Sequence, residues 1–213
     1  MTTLYLIRHC ETTGNRSHTF QGRNDTPPTE TGLRQLDALA ERFKDVPLDA
    51  IYTSPLPRTL RTAQAVNLHH GLPVVTDERL IEVSGGKFDG EIWENLMKIY
   101  PGHIRRWIEE PWNFEAPDGE AMRDVYTRMK DAICDIARKN PGKHVAVVSH
   151  GGALKTAMCI LRGLPIEQMK DHAFVCKNTA VTTAETEDGE TFRVIMTGDV
   201  SHLPERLITP RDE

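Results

Sequence analysis

The chain contains the stretches Leu4-Tyr-Leu-Ile-Arg8-His9 and Val145-Ala-Val-Val-Ser-His150, and each is an apolar run that ends in a histidine. Short apolar runs of this kind predict strands that are buried on both faces, as in a parallel sheet. Helical patterns separate the strands along the chain, and this alternation indicates an α/β fold. Because ligands of such sheets bind beyond the carboxyl ends of the strands, we expect both histidines at one site.

Further elements follow outward from these two runs. Segment 30–43 has helical spacing, with Thr29 as its N-cap. Its apolar face is expected to hold Leu33, Leu36, Ala40 and Phe43. The other predictions are strands at 4–7, 49–53, 73–76, 145–148, 180–185 and 192–197, and helices at 58–69, 120–139 and 153–161. We therefore expect an α/β fold with three layers, α/β/α, around a largely parallel sheet.

The length of 213 residues predicts a single domain, 1–213. Residues 84–117 differ from the rest, because they combine glycines, tryptophans and short helical patterns and end in a Pro-Asp-Gly turn. We expect this segment to be an inserted, lid-like excursion over one end of the sheet. Its tryptophans are expected to pack in the core or the lid.

The charge pattern argues against a nucleic-acid partner. Lys and Arg number 26 against 31 Asp and Glu, which gives a formal net charge of −5 with both signs well mixed. A general nucleic-acid binder would show a basic stripe. No apolar run approaches the roughly 20 residues that span a bilayer, and the first residues do not form a leader pattern. We expect no nucleic acid and no membrane partner.

The cysteines indicate reduced thiols. Cys10, Cys134, Cys159 and Cys176 form no C-x-x-C pair and have no zinc spacing with histidines. This usage predicts a cytoplasmic protein without a structural metal.

Cationic side chains join the two histidines at the same edge of the sheet. Another predicted strand ends at Ser54, just before Pro-Leu-Pro-Arg58. The set Arg8, His9, Arg58 and His150 predicts a pocket for a small dianion, because the planar fork of arginine donates paired hydrogen bonds to phosphate. Structural or surface roles are expected for His18, His69, His70, His103, His144 and His172.

The sequence resembles the histidine phosphatase superfamily, whose fold is phosphoglycerate-mutase-like. The matching motifs occur in the family's order and cover residues 4 to about 160. They are Leu6-Ile-Arg8-His9-Cys10-Glu11-Thr12 with Asn15, Phe20-Gln21-Gly22 with Asp25, Thr29-Glu-Thr-Gly32, Ser54-Pro-Leu-Pro-Arg58, Leu80-Ile-Glu82, Gly86-Lys-Phe-Asp-Gly90, Pro117-Asp-Gly-Glu120 and Val148-Ser-His150-Gly-Gly152.

The resemblance implies a covalent mechanism for phosphoryl transfer. His9 matches the family's nucleophile, which becomes a phosphohistidine. Arg8, Arg58 and His150 match the groups that bind the phosphoryl oxygens. Glu82 matches the general acid that protonates the leaving oxygen and later deprotonates water. Two fixed arginines can supply the positive charge that such a transfer needs, so no metal and no other cofactor is expected.

The resemblance also implies substrate contacts and one departure from the family pattern. Asn15, Gln21, Gly22 and Gly151 match positions that support or line the pocket. Cys10 stands where the family most often has glycine, so its side chain either crowds the turn after His9 or brings a thiol near the phosphate.

Three functions are compatible with these residues. The favoured one is a phosphatase for a small phosphorylated metabolite, because the insert after Glu82 is shorter than in cofactor-dependent mutases and is similar to that of alpha-ribazole and broad-specificity phosphatases. The alternatives are a phosphoglycerate mutase, with Arg105-Arg106 as extra cationic contacts, and an inactive module that binds phosphate esters. A monomer or a homodimer is expected.

Overall fold

A computed structural model describes residues 1–170 and 176–209 of the chain. Within these residues, six strands form one sheet in the order β3-β2-β4-β1-β5-β6. The strands are β1 (Thr2–Arg8), β2 (Ala50–Thr53), β3 (Val74–Thr76), β4 (His144–Ser149), β5 (Val181–Thr186) and β6 (Arg193–Asp199). Each lies within two residues of its predicted range, so the strand predictions are confirmed.

The pairing of the strands sets the position of the site. β1 pairs in parallel with β4, β4 with β2 and β2 with β3. Among the strands of the described residues, β5 is the one that runs opposite to the other five, because it pairs antiparallel with both β1 and β6. The prediction of a largely parallel sheet is therefore confirmed, and β1, β2 and β4 end at one edge of that sheet.

Helices cover both faces of the sheet. The α-helices of the described residues are α1 (Thr13–Arg16), α2 (Glu30–Phe43), α3 (Pro57–Val66), α4 (Trp93–Ile99), α5 (Pro101–Glu109), α6 (Met122–Lys139) and α7 (Gly151–Leu161). Leu4 and Leu6 of β1 pack with α6 and α7, whereas Ile7 packs with α2 and α3 on the opposite face. This gives the expected three layers. No helix in the described ranges is long and apolar enough to cross a membrane.

Helix α2 confirms its predicted bounds and part of its predicted apolar face, because Ala40 and Phe43 are buried as expected. Thr29 caps it, and the Thr29 hydroxyl accepts a hydrogen bond from the Gly32 amide. Leu33 was expected to be buried but is 49% exposed. Gln35 is buried in its place, because its amide group is hydrogen-bonded to the Glu11 amide and to the Leu207 carbonyl. Polar contacts to two distant segments thus decide which face of α2 turns inward.

Two other helix boundaries differ from the prediction for physical reasons. α3 ends at Val66 rather than His69, because Asn67 closes the helix and its side chain binds the backbone of Leu72. α7 begins at Gly151 rather than Ala153, so the glycine pair forms the first turn of that helix.

Residues 84–117 contain α4, α5 and short 3₁₀ turns. Leu96 and Ile104 are buried in the core shared with α6 and α7. Phe20 packs against Trp93 and Trp107, with ring centroids 5.3 and 5.6 Å away. The segment is thereby attached to the loop that follows β1.

A substitution at Gly32 tests how tightly the loop after β1 packs on α2. A Cβ at Gly32 would collide with the backbone carbonyl oxygen of Glu11. Gly32→Ala should therefore lower the free energy of unfolding by about 1–3 kcal/mol, although alanine favours helices. Urea unfolding measures the change.

Gly102, in the first turn of α5, is the matched control for this prediction. No described atom lies within 4 Å of a Cβ built there. Gly102→Ala should leave stability unchanged or raise it by up to about 1 kcal/mol. Similar effects of the two substitutions would contradict the packing argument.

Candidate active site

A cavity of about 380 Å³ opens beyond the carboxyl ends of β1 and β4. Eight of the nine predicted site residues line it, namely Arg8, His9, Asn15, Gln21, Gly22, Arg58, Glu82 and Gly151. The ninth, His150, lies directly behind, with its ring centroid 5.3 Å from that of His9. The structure therefore brings together residues that are far apart in the sequence.

His9 presents one ring nitrogen to the cavity. Its Nδ1 lies 2.7 Å from the Cys10 carbonyl oxygen. Because a carbonyl can only accept, Nδ1 carries the proton, and Nε2 is left with a lone pair. His9 is only 3% exposed. Burial, together with the charges of Arg58 and Arg8, holds the pKa of His9 well below the ordinary value. The ring is therefore neutral at neutral pH, as a nucleophile must be.

Arg8 supplies an unsatisfied donor at the same place. One of its terminal nitrogens donates to the Cys176 carbonyl at 2.5 Å. Its Nε is buried and has no hydrogen-bond partner among the described residues. A buried donor without a partner is unfavourable unless a ligand supplies an acceptor. Gly151 lies close by, and a Cβ there would be 3.5 Å from this Nε.

Arg58 is held in place by four other groups. It is 1% exposed, and its guanidinium donates to the carbonyls of Gly22 and Asn24, each at 2.7 Å, and to Asp25 at 3.3 Å. Its Nε donates to Nδ1 of His150 at 3.2 Å. Burial lowers the pKa of Arg58 somewhat, but an arginine remains charged. The cavity thus contains a second fixed cation.

His150 acts on the site through its neighbours in this arrangement. Its Nδ1 accepts from Arg58, so Nε2 carries the proton and donates to the Ser54 hydroxyl at 2.8 Å. Burial, and then the charge of Arg58, hold the pKa of His150 well below the ordinary value. A neutral ring here supports Arg58 without adding a further positive charge.

Glu82 lies at the first turn of α7. One carboxylate oxygen accepts from the Gly152 amide at 3.0 Å, and the other accepts from the Ala153 amide at 2.9 Å and the Val83 amide at 3.0 Å. Helix N-termini favour negative groups, because their amides lack partners inside the helix. A Cβ at Gly152 would lie 2.7 Å from a Glu82 oxygen. The glycine therefore permits this close approach.

The loop after β1 is organised by its own polar side chains. The carbonyl oxygen of the Asn15 side chain accepts from the Thr12 backbone and from the side chain of Asn178. The Gln21 side chain accepts from the Thr12 and Thr26 hydroxyls. These contacts close the loop around the pocket.

Gly22 has a backbone conformation that suits glycine. Its φ is +49°, and a Cβ there would collide with the Asp89 carboxylate. The turn directs the Gly22 carbonyl to Arg58.

Several residues near the site were not expected. The Asn178 side chain donates to the His9 carbonyl at 2.9 Å. His18, which was expected to be structural or at the surface, lines the cavity, as does Lys155. The Lys155 ammonium lies over the Trp107 ring, 5.5 Å from its centroid. Lys155 follows Gly151 by one helical turn, which is the one sequence signal that could have found it.

Other predictions near the site have mixed outcomes. Cys10 is fully buried and does not line the cavity, and its backbone N–H donates to the Thr62 hydroxyl at 3.1 Å. The expectation of a thiol near the phosphate is therefore wrong, and burial raises the pKa of Cys10 to about 11. Arg105 and Arg106 are exposed and lie outside the cavity lining. Of the other histidines expected to have structural or surface roles, none in the described residues lines the cavity, and His172 lies outside those residues.

Similarity to known proteins shows the family of the chain. The sequence profile described as histidine phosphatase superfamily (branch 1) matches residues 4–199. The chain belongs to this superfamily. Phosphoserine phosphatase 1 of Hydrogenobacter thermophilus is 34% identical over 188 residues, which cover 88% of each protein. A probable phosphoglycerate mutase GpmB of Cronobacter sakazakii is 32% identical over 207 residues, which cover 95% of each.

A solved structure with a similar fold supports the assignment of a phosphatase. It is that of a phosphoserine phosphatase mutant of Entamoeba histolytica in complex with phosphoserine, with a TM-score of 0.84 at 27% identity. The match covers 96% of this chain and 100% of that one. The predictions of the family, the α/β fold class and a phosphatase are therefore confirmed, and the mutase alternative has less support.

A metal site is not apparent in the described part of this histidine phosphatase. In residues 1–170 and 176–209, no group of three or more His, Cys, Asp or Glu side chains converges in a way that could hold a metal ion. The four cysteines are free thiols.

The two buried histidines predict a pH-dependent stability. Both have pKa values below the ordinary 6.5 in the folded protein, so the unfolded chain takes up their protons first as the pH falls. The free energy of unfolding should be greatest above about pH 6.5 and should fall below it by up to about 1.4 kcal/mol per pH unit for each ring. Urea unfolding between about pH 7.5 and 5.5 measures this slope.

The variant His9→Gln removes one of these rings. It should reduce the slope below about pH 6.5 by up to about 1.4 kcal/mol per pH unit relative to the unmodified chain. A slope that does not change would contradict a neutral, buried His9.

Proposed function

We propose that the chain hydrolyses a small phosphomonoester of the phosphoserine class through a phosphohistidine on His9. The observation that carries this proposal is the lone pair of His9 Nε2, because His9 lines the same cavity as the two cations Arg8 and Arg58. A neutral imidazole nitrogen beside two fixed cations suits attack on a bound phosphate group.

The reaction has two steps. In the first, His9 Nε2 attacks phosphorus, the bond from phosphorus to the ester oxygen breaks, and protonated Glu82 donates its proton to the leaving alcohol. In the second, the Glu82 carboxylate takes a proton from water, the hydroxyl attacks phosphorus, and the bond to His9 breaks. Arg8 and Arg58 stabilise the charge on the phosphoryl oxygens, so positioning and electrostatics supply most of the catalysis.

The wall of the cavity carries a cation that suits a substrate with a carboxylate. Phe20, Trp93, Ile104 and Trp107 form an apolar belt, and Lys155 adds a cation over Trp107. Two of the proteins compared above are named phosphoserine phosphatases. We assign the Lys155 ammonium to the substrate carboxylate and residues 84–117 to substrate selection.

A mutase is the second candidate, because one relative is named a probable phosphoglycerate mutase. A mutase must hold a phosphorylated product against the phosphoenzyme and exclude water. Arg105 and Arg106 could have provided extra anion contacts for this, but neither lines the cavity. This observation favours transfer to water.

The nucleophile is tested with phosphoserine in the presence of EDTA. The chain should release inorganic phosphate, and brief incubation with radiolabelled phosphoserine should leave acid-labile, base-stable label on His9. His9→Ala should abolish both signals while it keeps the fold by circular dichroism. Normal phosphate release by this variant would overturn the mechanism. No release from any ester of a metabolite panel would favour a binding module.

The mutase candidate is tested by a second incubation with a different substrate. The chain is incubated with 3-phosphoglycerate, with and without 2,3-bisphosphoglycerate, and phosphate and 2-phosphoglycerate are assayed separately. Slow phosphate release without isomerisation is expected. Rapid isomerisation with little phosphate would overturn the phosphatase proposal and retain the phosphohistidine.

The assignment of Lys155 makes a separate prediction. Lys155→Met should raise the KM for phosphoserine about 10-fold, since it removes one charge-assisted hydrogen bond. The KM for p-nitrophenyl phosphate, which has no carboxylate, should change less than about twofold. Equal changes for both esters would contradict a carboxylate contact.

A further inference from the structure

Arg128, on α6, donates hydrogen bonds from all three guanidinium nitrogens. They go to the segment that leads to Glu82 and to the Glu120 carboxylate. One terminal nitrogen donates to the carbonyls of Arg79 at 2.8 Å and Ile81 at 2.6 Å. The other donates to the carbonyl of Glu82 at 3.2 Å and to the Glu120 carboxylate at 3.0 Å. Its Nε donates to Glu120 at 2.8 Å. These contacts employ all five N–H groups of an arginine.

Further groups complete the attachment of this segment. The Ser149 hydroxyl, at the end of β4, donates to the Leu80 carbonyl at 2.7 Å. Arg23 donates to the carbonyl of Glu82 at 3.4 Å and to the Glu120 carboxylate at 3.2 Å. The four consecutive carbonyls of residues 79–82 are therefore all bound by side chains.

This attachment replaces regular secondary structure. After the 3₁₀ turn Glu78–Leu80, residues 81–85 belong to no helix or strand, so no ladder of backbone hydrogen bonds fixes Glu82. The Arg128 side chain and the Glu120 side chain are each only 16% exposed, which limits the competition of water for these bonds. Irregular backbone near a catalytic group needs such a second layer of contacts to hold its geometry.

We propose that Arg128 is a positioning residue for Glu82. It does not touch the substrate site, because it is not among the residues that line the cavity. Its charge is paired with that of Glu120, and its bonds to residues 79–82 go to the backbone rather than to the carboxylate of Glu82. Arg128 therefore acts on the direction from which Glu82 approaches the leaving oxygen. The inference rests on the proposed role of Glu82 as general acid.

The test uses esters that differ in their need for an acid. The serine released from phosphoserine leaves as an unstable alkoxide unless an acid protonates its oxygen. The p-nitrophenolate released from p-nitrophenyl phosphate leaves without a proton. Lysine at position 128 keeps the charge but cannot span the carbonyls and Glu120 together. Arg128→Lys should lower kcat on phosphoserine about 10- to 100-fold. Its kcat on p-nitrophenyl phosphate should fall less than about threefold, which also reports that the variant folds.

Two further variants make the result specific. Arg138→Lys, the same substitution on the same helix but at a half-exposed arginine paired with Glu190, should leave both rates unchanged. Glu82→Gln should show the same selectivity between the esters as Arg128→Lys. The double variant should lose no more on phosphoserine than Glu82→Gln alone, because Arg128 acts through Glu82.

The outcomes separate the two assignments. If Glu82→Gln is selective but Arg128→Lys slows both esters equally or neither, the positioning role is overturned while the acid stands. Losses that add in the double variant also overturn it. Equal losses on both esters in Glu82→Gln itself would overturn the acid assignment and, with it, the role of Arg128.

Discussion

The parallel pairing of β1 with β4 is the constraint on which the site depends. It aligns Arg8 with Ser149, and the His9 amide continues the ladder to the Ser149 carbonyl. Both strands therefore end at the same level, and the rings of His9 and His150 meet at 5.3 Å. Helix α7 starts directly after β4, so its first amides open onto the same edge and receive Glu82. A shift of this register would separate His9, the two arginines and Glu82 at once.

Buried positive charge dominates the electrostatics at the carboxyl ends of β1 and β4. Arg58 is almost fully buried, and it is stabilised by the carbonyls of Gly22 and Asn24 and by Asp25 rather than by a single ion pair. The same charge, with burial, keeps His9 and His150 neutral by lowering their pKa values. A phosphate dianion would offset the cations and satisfy Arg8.

His9 is positioned by regular secondary structure, whereas Glu82 is positioned by side-chain contacts. His9 follows a central strand, and its tautomer is set by a carbonyl of the next residue. Glu82 follows an irregular segment, and its position depends on side chains from α6, from the β4 end and from the loop after β1. His9 and Glu82 are thus attached to separate parts of the core.

The sequence by itself determined the strands, the family and most of the residues that meet at the edge of the sheet where the cavity opens. Apolar runs such as 4–7 and 145–148 are local signals, and burial on both faces of a strand requires them wherever the strand lies. The exposed Leu33 and the buried Gln35 on α2 were not predictable, because contacts with Glu11 and Leu207 decide that face. Lys155, Asn178 and Arg128 were likewise decided only by the tertiary structure. Asn178 and Arg128 bind backbone carbonyls of distant segments, and such groups leave no periodic or motif pattern around the residues that bind them. Lys155 does lie one helical turn after Gly151, but the Trp107 ring beneath its ammonium comes from a distant segment.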